Sequence, residues 1–218
     1  MWLTNSSVGR KVVMSVTGLF LVLFVTFHAL MNAVALISFE AYDAICEFLG
    51  ANWYAVLGTL ILAGGFAIHI IFAFILTFQN RKARGNNRYA VNARPKNVEW
   101  ASQNMLVLGI IVLGVMVLHL TQFWAKMQLP ELMGEHVMNG TFYLRAIFSQ
   151  LWVLPVYLIW FAALWFHISH GFWSAFQTLG TANDKWITRW QCISKWWASI
   201  VFILFAVEAC YFTWFFAL

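Results

Sequence analysis

Charge is what this sequence has least of. Asp, Glu, Lys and Arg make up 10% of its 218 residues, where an ordinary soluble domain carries roughly 25%. With 62% apolar residues and a mean hydropathy of +0.76, the chain cannot clothe a water-facing surface. Cysteine is also sparse. Cys46, Cys192 and Cys210 are scattered, with no C-x-x-C pair and no C-x-x-C-H, so neither a thioredoxin-type motif nor covalent haem attachment is indicated. A Gly-rich phosphate loop, a Walker motif and a nucleophile elbow are all missing, which removes the sequence signals for nucleotide hydrolysis and acyl transfer.

Long apolar runs are what the sequence does have. Five of them reach the roughly 20 residues that a helix needs to cross a bilayer core, near 12–37, 53–78, 101–125, 146–176 and 196–216. Backbone groups in lipid must be satisfied within the segment, so the runs are helices rather than open strands. The fold class is therefore an all-α membrane protein with five transmembrane helices in a single integral membrane domain, 1–218. The fourth run is long and contains Pro155, which predicts a tilted or kinked helix. The first run is too long for a signal-peptide core and lacks a small-residue cleavage site, so it is expected to remain as a helix. The stretch "TNSSVGRK" offers Ser and Thr caps just before it.

Positive charge is distributed unevenly. Arg10, Lys11, Arg81, Lys82, Arg84, Arg88, Arg94, Lys96, Lys185, Arg189 and Lys195 fall on one side of the five spans, and only Lys126 and Arg145 on the other. The positive-inside rule then predicts a cytoplasmic N-terminus and an external C-terminus. The net charge of +5 reads as topology and lends no support to nucleic-acid binding. A basic inner face suits an acidic partner or anionic lipid. The hydrophilic loop "RKARGNNRYAVNARPKN" is expected to lie along the membrane surface or against such a partner.

Five of the six histidines lie inside apolar runs, and only His136 is in a polar loop. Ionisable groups in a membrane are expensive and mark function by default. The first four runs each carry at least one. Depth, counted from the inner edge of each run at about 1.5 Å per residue, puts His28 and His119 roughly 26–30 Å in, and His69 and His167 roughly 15–18 Å in. The four thus form two pairs at two levels, offset by roughly 10 Å. The pairs join the first run to the third and the second to the fourth, the diagonals of an up-down bundle. A zinc site would bring three or four ligands to one level. Two facing histidines at each level suit bis-imidazole b-type haem, so the first four helices are expected to form a haem-binding bundle. On the fourth run, "LWFHISHGFW" carries both His167 and His170. Depth alone does not choose the ligand between them.

These residues resemble the di-haem cytochrome b membrane-anchor subunit of succinate:quinone oxidoreductases and quinol:fumarate reductases. The likeness covers nearly the whole chain. It is most specific in "SSVGRKVVMSVTGLFLVLFVTFH" (Ser6 to His28), "EWASQNM" (Glu99 to Met105) leading to His119, and "HISHGFWS" (His167 to Ser174). The resemblance implies that His28 and His119 hold a distal haem and that His69 and His167 hold a proximal one. It makes the first histidine of the fourth-helix pattern the ligand, leaves His170 without a fixed counterpart, and has Gly171 admit close packing. Ser15 and Trp100 match positions near the proximal haem's propionates in part of the family. It further implies a bacterial cytoplasmic membrane, a flavoprotein and an iron–sulfur subunit on the cytoplasmic side, and quinone, with menaquinone common among two-haem members, near the distal haem. Dicarboxylate chemistry would belong to the partners. A glutamate that some members carry just before the fourth-helix ligand is replaced here by Leu164, Trp165 and Phe166, which leaves that proton route without its carboxylate.

No motif announces the quinone site. Glu208, in "LFAVEACYF", lies roughly 20 Å from the inner edge. At that depth it reads either as a proton relay or quinol hydrogen-bond partner, or as a neutral glutamic acid bonded to a neighbouring helix. Asp43 and Glu47 are outer-loop acids, open to solvation or to proton exchange with quinone. Two other functions fit the same histidines: a haem b anchor of a formate dehydrogenase or hydrogenase type of complex, and a haem-free histidine transporter.

Overall fold

The computed structural model describes residues 2–50, 52–84 and 99–216. From position 85 onward the basic loop at 81–97 lies outside the described residues. Among the described residues every regular element is helical. A short α1 (Trp2–Asn5) leads into α2 (Ser7–Ala33), which runs on through a 3-10 turn at Val34–Leu36. Then come α3 (Phe39–Phe48), α4 (Trp53–Arg84), α5 (Trp100–Gln103), α6 (Met105–Gln122), α7 (Gln128–Leu132), α8 (Gly140–Phe148), α9 (Val153–Thr178) and α10 (Trp186–Phe216). Five of these, α2, α4, α6, α9 and α10, are long and apolar enough to cross a membrane.

The helix starts follow local chemistry. Ser6 caps α2 by accepting from the Gly9 N–H at 2.9 Å, Ser38 caps α3 through the Ala41 N–H, and Asn139 caps α8 through the Phe142 N–H. Asn183 accepts from the Lys185 and Trp186 N–H groups at the start of α10. Several boundaries differ from the sequence expectation: the second span runs on to Arg84, and the third is confined to Met105–Gln122, with Trp100–Gln103 a separate turn of helix before it. The first and fifth spans begin earlier, at Ser7 and Trp186, because these caps precede the apolar runs. The run at 146–176 is not one kinked helix. It breaks at 149–152 into the amphipathic α8 and the spanning α9. Pro155 then sits in the first turn of α9, where its missing N–H is already outside the helical ladder, so no kink is needed.

Spans consecutive in the chain run antiparallel, and α2 and α10 run parallel. Phe20 and Phe24 of α2 meet Gly65 and Phe66 of α4, the Trp160 indole N–H of α9 donates to the Val112 carbonyl of α6, and Phe161 of α9 stacks on Phe205 of α10. The central helices are α2 and α9, which pack on each other. The helix α4 lies outside α2, α6 lies outside α9, and α10 straddles both central helices. In lipid there is no hydrophobic drive for helix to meet helix, so close packing and hydrogen bonds must hold them. Between α9 and α10 the fully buried Ser194 donates to the Ser169 carbonyl at 2.8 Å, and the Trp165 indole donates to Ser199. Outward residues such as Leu23, Leu60, Ile203 and Trp214 stay exposed, as a lipid-facing surface requires.

At the end of the bundle that carries α3 and α8, a conventional apolar core forms from Tyr42, Leu144, Phe148, Val153, Tyr157 and Phe212. The Arg145 guanidinium is sandwiched there, 4.6 Å from both the Phe39 and the Phe216 ring centres. On the other side of the molecule, α4 approaches α2 because Gly65 has no side chain. A Cβ there would lie 2.6 Å from the Phe20 ring. Gly65→Leu is therefore expected to cost about 1–3 kcal/mol through overpacking, seen as a lower melting temperature in detergent. A melt unchanged from wild type would show that α4 can shift away freely.

Candidate functional site

Four imidazoles converge in two pairs. His28 of α2 faces His119 of α6 with ring centres 5.9 Å apart. His69 of α4 faces His167 of α9 at 6.3 Å. In both pairs the ring planes are steeply inclined, at 87° and 69°. Each pair takes one histidine from a central helix and one from the outer helix on the far side. The levels are well separated along the bundle. On α6, His119 meets Tyr157 and Trp160, whereas Gly109 lies against His167. That separation of ten residues on one helix is roughly 15 Å, somewhat more than the depth count suggested.

The α2–α6 pair sits in an aromatic sleeve. Phe24 stacks on His28 at 5.5 Å and Phe205 lies at 5.9 Å, while Phe123 and Trp160 flank His119 at 5.0 and 5.4 Å. The other pair rests on bare backbone. An added Cβ at Gly18 would lie 3.4 Å from the His69 ring, and one at Gly109 would lie 3.6 Å from the His167 ring. The close packing expected at Gly171 is not made by the described chain, since a Cβ there meets nothing within 4 Å.

Two of the four rings are held by side chains that sequence reading did not single out in this role. His119 Nδ1 is 3.3 Å from the Tyr157 hydroxyl, which itself donates to Gln122 Oε1 at 2.8 Å. His69 Nδ1 is 3.3 Å from the Thr17 hydroxyl, which donates to the Val13 carbonyl at 2.9 Å. The signal available beforehand was weak: Gln122 is a polar residue three places after His119 in an apolar run, and it is buried here. His167 Nδ1 is buried with no hydrogen-bond partner among the described residues.

This donor set passes a test for a metal held between two imidazoles. Each nitrogen would sit about 2 Å from the metal, and about 1 Å more reaches each ring centre, so the two centres should lie roughly 6 Å apart. Both pairs meet that spacing. Among the described residues no three His, Cys, Asp or Glu side chains gather to form a zinc-type centre. The candidate site is thus two bis-imidazole sites at two heights.

The remaining candidates are placed as follows. His170 is not part of either pair. Its Nδ1 lies 3.1 Å from Glu99 Oε2, and Lys195 Nζ lies 3.4 Å from Glu99 Oε1. This cluster ties the start of α5 to α9 and α10. Ser15 is buried on α2, whereas Trp100 is exposed and packs its edge on Phe166 at 5.1 Å. Asp43 is engaged in structure. It accepts from the Thr141 N–H and hydroxyl at 2.7 Å each and from the Asn139 amide at 2.8 Å, which joins α3 to the start of α8. Glu47 and His136 are exposed. Glu208 is buried on α10, with Oε1 unpaired among the described residues, and lies near Tyr42 and Cys46 of α3. Burial pushes the Cys46 thiol up to about 11, against the opposing hydrogen bond from Tyr42. The Tyr42 hydroxyl donates to Asn32, whose amide donates to the His28 carbonyl, so a polar thread leads from this region to the α2–α6 pair.

No family model matches the chain, and no curated protein or solved structure matches it either.

The Glu99 cluster yields a pH dependence. Burial acts to raise the Glu99 carboxyl, but the His170 hydrogen bond and the Lys195 charge outweigh it and hold the group below its ordinary 4.5. A carboxylate depressed by folding contributes stability above its unfolded value, and that contribution is lost as pH falls through the folded one. One-third exposure of the Glu99 side chain keeps the effect small. The melting temperature of Glu99→Gln is expected to lie a few degrees below wild type at neutral pH, with the gap closing as the pH falls below 4.5. A gap that stays constant with pH would assign the loss to packing.

Proposed function

We propose that the chain is a di-haem b electron-transfer subunit that anchors a respiratory complex in the membrane. In this reading His28 and His119 hold one haem, and His69 and His167 hold the other. The observation that carries it is the pairing of four half-buried histidines, from four different spans, at two heights and at metal-bridging spacing. When bound, the two haems supply one-electron carriers at two depths across the bilayer. The chain's own residues do the rest. The helices fix the four imidazoles, the aromatic sleeve of Phe24, Phe123, Trp160 and Phe205 excludes water from the upper pair, and the apolar surface keeps the assembly in lipid.

The likeness in "SSVGRKVVMSVTGLFLVLFVTFH" and "HISHGFWS" supports placing this subunit in a succinate dehydrogenase or fumarate reductase complex. There it would exchange electrons with menaquinone and dock an iron–sulfur subunit, with its flavoprotein partner, against the basic end that carries Arg10, Lys11 and Lys195. The same charge asymmetry supports a bacterial cytoplasmic membrane with the N-terminus inside. Ser15 and Trp100 lie on the His69–His167 side, suited to propionate contacts. Glu208 is the proposed quinol proton partner, since it is buried against α3 and next to the thread that reaches His28.

Purified complex should show b-type bands equivalent to two haems per chain. His28→Ala and His69→Ala should each remove one haem and leave the other titrating normally. A preparation free of haem would end the reading, and co-purifying subunits would decide between a succinate or fumarate enzyme and a formate dehydrogenase or hydrogenase. A separate expectation concerns Glu208→Gln, which should lower quinol turnover roughly tenfold or more, within the range typical of a proton-transfer group, with both haem spectra intact. Unchanged turnover would take Glu208 out of the quinone site.

A further inference from the structure

Neutral imidazole carries one N–H and one lone pair, and which nitrogen holds which is set by the partner of the other. At the upper level the Tyr157 hydroxyl has a single proton, and that proton is committed to Gln122 Oε1 at 2.8 Å in a buried contact. Towards His119 Nδ1, 3.3 Å away, the phenol oxygen can then only accept, so Nδ1 must be the protonated nitrogen. The lower level repeats the arrangement with different parts. The Thr17 proton is committed to the Val13 carbonyl at 2.9 Å, with Met14 at 3.1 Å, so its oxygen accepts from His69 Nδ1 at 3.3 Å, beside the Met14 carbonyl, a second acceptor for the same ring. In both cases Nε2 is left as the lone-pair nitrogen. The opposite ring of the lower pair, His167, has no such device, because its Nδ1 is buried without a partner.

We propose that Tyr157, backed by Gln122, and Thr17 are positioning residues for the two haem ligands His119 and His69. Each hydroxyl fixes its histidine as the Nδ1–H tautomer, so that Nε2 is presented to iron. By accepting that proton each also strengthens the ring as a donor, which favours the oxidised metal and lowers the potential of the haem at its own level. This rests on the di-haem reading above.

The test is a redox titration of the intact purified complex, followed in the b-type absorption bands. Wild type should titrate in two steps. Tyr157→Phe should raise one step and Thr17→Val the other, with two haems retained. Each change should reach up to about tenfold in the reduction equilibrium, or about 59 mV for a one-electron couple. Thr26→Val is the control, because its hydroxyl bonds the Val22 carbonyl of its own helix at 2.8 Å, and both steps should stay in place. If Tyr157→Phe does not assemble, Gln122→Leu keeps the phenol but frees its proton, and it should move the same step in the same direction. Two haems whose steps stay put in these variants, or a shift to lower potential, would overturn the inference and leave the di-haem reading standing. An equal shift in Thr26→Val would likewise overturn it. A wild-type complex without haem b would remove the reading and the inference together.

Discussion

An imidazole has two nitrogens, and inside an apolar bundle a nitrogen without a partner is costly. Leaving a polar group unpaired there costs more than the bond itself gains. Most of this molecule's arrangement follows from placing four such rings between helices. His119 meets this demand through Tyr157 and Gln122, and His69 through Thr17, while each ring centre lies 5.9 or 6.3 Å from that of the opposing histidine. The pairs are unequal in surroundings. One is enclosed by aromatic rings, and the other lies over glycine backbone at Gly18 and Gly109. Two chemically identical imidazole pairs thus sit in different environments.

The bundle holds these rings by local contacts rather than by hydrophobic collapse, which has no driving force between helices already in lipid. Ser194 and Trp165 stitch α9 to α10. At one end Glu99, His170 and Lys195 join three elements. At the other end Asp43 and Arg145 do the same for α3, α8 and α10, around an apolar core of the kind a soluble protein uses. Both ends are thus cross-linked between elements, and the two imidazole pairs lie between them.

The number and type of the spanning helices were legible in the sequence because a bilayer imposes a length and a composition that local residues must meet. Boundaries were less so. The break at 149–152 lies within an apolar run, and it arises because α8 packs on α3 and α10 instead of continuing into lipid. Asp43 and His170 show the same limit. From sequence one is a loop acid and the other a spare imidazole. Their partners, Thr141 and Glu99, lie 98 and 71 residues away, where no local pattern reaches.

Depth along a helix is a one-dimensional quantity, fixed by residue count and rise, so the sequence by itself put His28 level with His119 and His69 level with the His167–His170 stretch, without choosing between those last two. What lies beside a ring depends on how helices rotate and pack. Only the tertiary structure decided that Thr17 and Tyr157 would hold two of the rings, that His170 would turn away to Glu99, and that Glu208 would be buried against α3. Those outcomes rest on contacts between spans, and the energies that choose among rotations come from side chains distant in the chain.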